Sequence, residues 1–451
     1  MSISQLHHKA IAIGAGPSNL SLAALAHSVP AVGITVFERA PQLAWHHGLL
    51  VEGAMMQTSP LKDLVTPVDP TSPFSFLSYL KSKGRLYRAI VRGLDTVSRL
   101  EFDDYLCWVA ESLDNVRFSH CVTSVRLIDN QFELACANEV LRTKDLVLGI
   151  GRKAVLPDFA VPLQGESLFH SAQLLATARD FSGKRVVVVG GGQSGAEVFA
   201  AILKGQFGAT ASLSWISRRP SFFALEDSPF VNEWFFPQHS RWFHDLAPDA
   251  RQRLLNEQKY ASDGISAGTL SEIYRLLYEG SVKARAHGPV IAVGTSVEGL
   301  RRVDTTTEVM LRDLYTGAHQ EITADIVVFC TGYRFELPDF LEELRPRLDF
   351  IKTGDGHMEM ALDQDFSARW DGPRSCRIFV QNGGRTQHGI ADPNLSLLAW
   401  RSAVILNALA NNDVHNCLSV SGALDWGVPA PTFGSANGFR PIADRRTGSC
   451  L

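Results

Sequence analysis

Two short apolar runs, Ala10-Ile11-Ala12-Ile13 and Val186-Val187-Val188-Val189, lack the alternation of a half-buried strand, and each runs straight into a cluster of glycines. Apolar runs of this kind predict strands buried on both faces, as in a parallel sheet. The first passes into Gly14-Ala15-Gly16-Pro17-Ser18-Asn19, and a helical pattern follows over Asn19 to His27. The second passes into Gly190-Gly191-Gly192-Gln193-Ser194-Gly195, followed by the helical start Ala196-Glu197-Val198-Phe199. Further strands are predicted at Gly33 to Phe37, Asp145 to Leu148, Ala211 to Ile216 and Asp325 to Cys330.

Strand, glycine loop, helix and second strand in that order form a phosphate cradle. The glycines let the backbone turn tightly against a pyrophosphate, and the helix start offers free N–H groups and its positive dipole end. Gly14, Gly16, Pro17, Ser18 and Asn19 are the candidate contacts of the first loop; Gly190, Gly192, Gln193, Ser194 and Gly195 are those of the second. The strand after the first loop ends at Glu38, where an acid hydrogen-bonds a ribose hydroxyl. The strand after the second ends instead in Ser217-Arg218-Arg219, which suits the extra 2′-phosphate of NADPH. The expected fold class is α/β: two Rossmann-like dinucleotide-binding domains, for FAD and NADPH, with a small, mostly helical substrate-binding region. Residues 1–160 form the first part of the FAD domain and 161–324 the NADPH domain, with helical residues 228–280 inserted. Residues 325–426 re-enter the FAD domain and close the active site; 427–451 form a loop-like or disordered tail.

Composition removes other classes. Of 451 residues, 45% are apolar and 20% charged, with a net charge of −4, so neither nucleic acid nor an anionic membrane is an expected partner. No apolar run is long enough to span a bilayer, no signal peptide is expected, and seven scattered cysteines fit a cytoplasmic protein with free thiols. No metal-ligand spacing occurs, and no close cysteine pair supports a disulfide reductase. The Baeyer–Villiger linker pattern also fails, since Gly165 and His170 are wrongly spaced and no tryptophan follows.

Several longer motifs carry a resemblance. Trp45-His46-His47-Gly48, Met55 to Leu64, Asp69 to Pro73, Val97-Ser98-Arg99, Asp227 to Glu233 and His388-Gly389-Ile390 resemble those of the microbial N-hydroxylating flavin monooxygenases, across roughly residues 8–410. The resemblance is to the lysine and diamine branch. It implies a monooxygenase in hydroxamate siderophore biosynthesis, commonly a tetramer, in which NADPH reduces FAD and a C4a-hydroperoxide transfers oxygen to a primary amine. That amine must be neutral, and at pH 7.4 deprotonating a lysine-type ammonium costs about 4 kcal/mol. A desolvated pocket lowers that cost. No protein side chain acts as catalyst in this scheme.

The resemblance places Trp45, His46 and Gln57 against the flavin, with Val122, Asp392, Asn394 and Leu395. It gives Asn232 the reacting amine and Lys62 the α-carboxylate of an amino-acid substrate; Leu395 also lines the substrate. In ornithine hydroxylases a further asparagine assists that carboxylate, and here the position is Ala261. Asp263, nearby, would suit the distal ammonium of a diamine. The expected substrate is accordingly cadaverine or putrescine, with L-lysine as the alternative; a positive Lys62 beside a second ammonium requires Asp63 or Asp263 to offset it. A non-catalytic NADPH-binding protein is the non-enzyme alternative.

Overall fold

The computed structural model describes residues 9–136, 139–176, 179–283, 288–417 and 422–426, so the expected tail at 427–451 lies outside the described residues. Two five-stranded parallel sheets organise the chain. The first has the order Arg377–Val380, Asp145–Leu148, Ala10–Ile13, Ile34–Phe37, Val116–Arg117. The second has the order Leu168–His170, Ile326–Phe329, Arg185–Val189, Ser212–Ile216, Val290–Ala292. In each, the strand that feeds a glycine loop sits at the centre, buried on both faces as its unbroken apolar run requires.

The two units repeat one another. Each inserts a three-stranded antiparallel meander before its fourth strand: Val122–Ile128, Gln131–Cys136 and Glu139–Thr143 in one, Thr295–Val303, Thr306–Asp313 and His319–Ala324 in the other. They differ in the fifth strand, which precedes the second unit in sequence but reaches the first unit only from residues 377–380.

Two expectations are corrected. The first helix spans Pro17–Ala26, not Asn19 to His27: proline fits the first helical position, where its missing N–H costs nothing. The strand expected to carry the chain back into the first domain, Ile326–Phe329, belongs to the second sheet, between Arg185–Val189 and Leu168–His170. The return comes just after it, where Tyr333–Arg334 pairs antiparallel with the outgoing Lys153–Ala154.

Helices Pro229–Asn232, Pro237–Asp245, Pro248–Glu257 and Lys259–Asp263 fill the inserted region. Residues of this region join the first domain's apolar core: Phe235 and Ala261 are buried there, with Val231, Trp234 and Leu255 packed against it. The longer helix Ala267–Lys283 packs its Ile273 into the second domain's core. The insert therefore bridges the two units.

Candidate active site

Both glycine loops are built for close approach. Gly14 has φ +93°, and a Cβ there would stand 2.6 Å from the Gly149 carbonyl oxygen. Gly190 has φ +136°, and its Cβ would stand 2.3 Å from the Cys330 oxygen, the matching position at the end of the fourth strand. The following helices start at Gly16 and Gly192 with no side chain capping their N–H groups. A Cβ on Gly192 would meet nothing within 4 Å, so that face of the loop is open. Uncapped N–H groups fit a pyrophosphate at each loop, and at the second the backbone face beside them is open.

In the first loop, Glu38 accepts from the Ala15 N–H at 2.8 Å and the Ala40 N–H at 2.9 Å, which sets its carboxylate beside the glycines. Asn19 is fully buried and donates to the carbonyls of Ile13 at 3.0 Å and Gly14 at 2.8 Å, bracing the turn from behind. Its Oδ1 accepts from Gln381 at 2.8 Å. Gln381 accepts in turn from Arg401 at 3.3 Å, and Arg401 donates to Ser18 at 3.2 Å and to Asp392 at 3.0 Å. Asp392 also accepts from the Gly384 N–H at 2.8 Å. Arg401 is 1% exposed and Asp392 3%, so this ion pair ties the loop helix to the C-terminal segment inside the core. Asp392 is thus occupied within the protein. Asn394 turns its Oδ1 to the N–H and hydroxyl of Ser396, both at 2.8 Å, and half-buried Leu395 packs against the core. Val122 is buried at the start of the first meander.

Trp45 packs edge-on to His46, with centroids 5.0 Å apart, and tilts against Phe102 at 5.6 Å. His46 takes a left-handed conformation (φ 51°) and turns its ring edge to Tyr333, on the strand returning from the second domain, at 5.9 Å. Gln57 also faces that domain: its Nε2 lies 3.3 Å from Gln193 Oε1, 3.3 Å from Ser266 Oγ and 3.4 Å from the Gly264 carbonyl.

In the second loop, Ser217 is 2% exposed and accepts from the Arg219 N–H at 3.1 Å. A Cβ on Gly191 would collide with the Ser217 hydroxyl at 2.1 Å. Ser217 therefore shapes the loop rather than facing out of it. Arg219 donates to the Asp263 carbonyl oxygen at 3.0 Å, whereas Arg218 is exposed; neither forms an ion pair among the described residues.

The substrate candidates diverge. Lys62 is half-buried, with Nζ 6.0 Å from the Phe235 ring centre, and it has no carboxylate partner among the described residues. Burial lowers its pKa from the usual value. Asp63 offers it nothing: that carboxylate accepts from Val65 N at 2.9 Å, from Thr66 N and Phe76 N at 2.6 Å each, and from Thr66 Oγ1 at 2.7 Å. Asp263 is likewise spent, since Arg385 holds both its oxygens at 3.2 Å and Ser262 donates at 2.9 Å. Burial pushes Asp263 up, but Arg385, Ser262 and Arg219 outweigh it and hold the carboxyl below its usual range. The counter-charge expected of Asp263 is thus already matched within the chain. Ala261 is 4% exposed in the cluster that contains Phe235. Asn232 gives its Nδ2 to the Asp227 carbonyl at 2.7 Å, which leaves Oδ1 as an acceptor.

Sequence reasoning missed Arg401, Gln381, Arg385 and Glu197. Glu197 had a signal, standing four residues after Gln193 on a helix, where side chains meet. The others act over separations of up to 383 residues and had none.

The family model for L-lysine 6-monooxygenase/L-ornithine 5-monooxygenase matches residues 6–335. The L-lysine N6-monooxygenase of Escherichia coli is 38% identical over 419 residues, covering 92% of this chain and 97% of that protein. A putrescine N-hydroxylase of Shewanella oneidensis is 32% identical, covering 88% and 80%. Among solved structures, the FAD-bound cadaverine monooxygenase DfoA of Erwinia amylovora superposes with a TM-score of 0.85 at 27% identity, covering 96% of this chain and 100% of that one. The ornithine N-hydroxylase KtzI of Kutzneria sp. 744, with reduced FAD, NADP+ and L-ornithine, gives 0.83 at 27% identity, covering 90% and 99%.

Proposed function

Since the chain belongs to the L-lysine 6-monooxygenase/L-ornithine 5-monooxygenase family, we propose that it N-hydroxylates the side-chain amine of L-lysine, using FAD and NADPH, in the making of a hydroxamate siderophore. The observation that carries the choice of substrate is the half-buried ammonium of Lys62, which has no carboxylate partner among the described residues. With Asp63 and Asp263 both satisfied inside the protein, a second ammonium there would meet only like charge, whereas an α-carboxylate would be matched. Ala261 supplies no donor to that carboxylate, which sets this chain apart from the ornithine pattern described above.

The first loop, with Gly14, Gly16, Ser18 and Glu38, would hold FAD, and the second loop, with Arg218 beside it, NADPH. Bound and reduced, the flavin supplies activated oxygen from O2. The chain's own residues do the rest. Asn232, whose Nδ2 is taken by the Asp227 carbonyl, would accept from the amine N–H through Oδ1, leaving the nitrogen lone pair free. Apolar Phe235 and Ala261 keep water from the alkyl chain. No protein group needs to attack the substrate.

The diamine reading retains one specific support, the likeness to the cadaverine and putrescine enzymes, combined with the missing carboxylate donor at Ala261. The test is hydroxylamine formation from lysine, ornithine, cadaverine and putrescine in parallel, with NADPH and O2. Lysine should lead. A diamine turned over faster than lysine would refute the substrate choice, and no product from any amine would refute the activity.

A further inference from the structure

A chain of polar side chains crosses between the two domains and connects Gln57, expected against the flavin, to Gln193 at the second glycine loop. Arg99, at the start of helix Arg99–Ser112 in the first domain, donates to Glu197 Oε2 at 2.7 Å. Glu197, on helix Gln193–Leu203 of the second domain, has a side chain 4% exposed. Its other oxygen accepts from Gln193 Nε2 at 2.8 Å. Gln193 Oε1 then accepts from the Ser266 N–H at 2.8 Å and from Gln57 Nε2 at 3.3 Å.

The chemistry of these groups fixes a direction. An ionised carboxylate only accepts, so the end of Gln193 that faces Glu197 must be its NH2. The amide oxygen is thereby turned toward Ser266 and Gln57. An oxygen at that point demands a donor, so Gln57 presents its NH2 and leaves its own oxygen without a partner among the described residues. Gln193 is also the first residue of the second loop's helix, where a pyrophosphate would sit.

We propose that Glu197, held by Arg99, is a positioning residue that orients the Gln193 and Gln57 amides and so couples seating of the nicotinamide dinucleotide to the flavin-side loop. The proposal rests on the cofactor assignment above but is scored by binding, not by turnover, so the two fail separately. Neither Arg99 nor Glu197 touches substrate in this scheme. A neutral, equally sized glutamine at 197 can donate as well as accept, and it removes the directional constraint.

The experiment is a double-mutant cycle on the FAD-loaded oxidised enzyme, with NADP+ affinity measured by calorimetry for wild type, Glu197→Gln, Gln193→Ala and the double variant. Glu197→Gln should weaken NADP+ by about tenfold, the scale of one charge-assisted hydrogen bond. FAD content should be unchanged. The double variant should be no weaker than Gln193→Ala alone, because Glu197 acts through Gln193. Wild-type affinity in Glu197→Gln, or fully additive losses in the double variant, would overturn the relay. If Glu197→Gln fails to retain FAD, the cycle is run with Arg99→Lys in its place, which keeps the charge but loses the guanidinium geometry, and the same two outcomes decide.

Discussion

A half-buried ammonium with no carboxylate beside it among the described residues, such as that of Lys62, carries a desolvation cost that an arriving anion would offset. Replacing Lys62 by alanine should therefore raise KM for lysine by about a hundredfold, the upper end of one charge-assisted contact, while kcat changes little. Cadaverine, lacking the carboxylate, should lose nothing; steady-state hydroxylamine assays on both substrates read the difference. Arg401 and Asp392 pose the opposite problem, a matched pair with no exposure to spare. Arg401→Leu leaves Asp392 charged and unpaired in the core and should cost about 3–5 kcal/mol, measured by urea denaturation. Of these residues, Lys62 and Asp392 were singled out in the sequence by the family resemblance. The Arg401 network was not, because its partners Ser18, Asn382 and Gln381 meet only once distant elements close on each other.

At the scale of elements, the two strand–loop–helix units were readable because everything that defines them is local: an unbroken apolar run, glycines at the turn, and a helix start. The strand Ile326–Phe329 was misassigned for the complementary reason. Its four apolar residues suit either sheet, and only its pairing with residues far away in sequence places it in the second. The loops also predict separable damage. Gly190→Ala forces a methyl to 2.3 Å from the Cys330 oxygen, and Gly14→Ala does the same to 2.6 Å from the Gly149 oxygen. On the assignment proposed above, Gly190→Ala should abolish NADP+ binding while the protein stays yellow; Gly14→Ala should yield colourless protein. Flavin absorbance and NADP+ calorimetry on the two variants check this.

For the molecule as a whole, the helical insert and the C-terminal segment meet through buried histidines. Burial lowers His239 from 6.5 to about 4, and burial, then His244 and Arg401, hold His388 well below its usual value. Both are neutral when folded and take up a proton more readily when unfolded. Their contribution is intact above pH 6.5 and is lost as pH falls toward the folded values, by up to about 1.4 kcal/mol per pH unit for each histidine. Asp63 and Glu197, raised by burial, work in the opposite sense from their ordinary values upward. The urea midpoint should therefore drop between pH 6.5 and pH 5, where the histidine effect dominates, and a flat profile would contradict it.

The late-arriving fifth strand of the first sheet bears on how the polypeptide is made. Until Arg377–Val380 has left the ribosome, the edge of Asp145–Leu148 is an open template for pairing, although every other strand of that sheet has long been synthesised. A nascent chain halted at residue 335 would hold a finished second unit beside an unfinished first one, and would be prone to aggregate rather than to work at half strength.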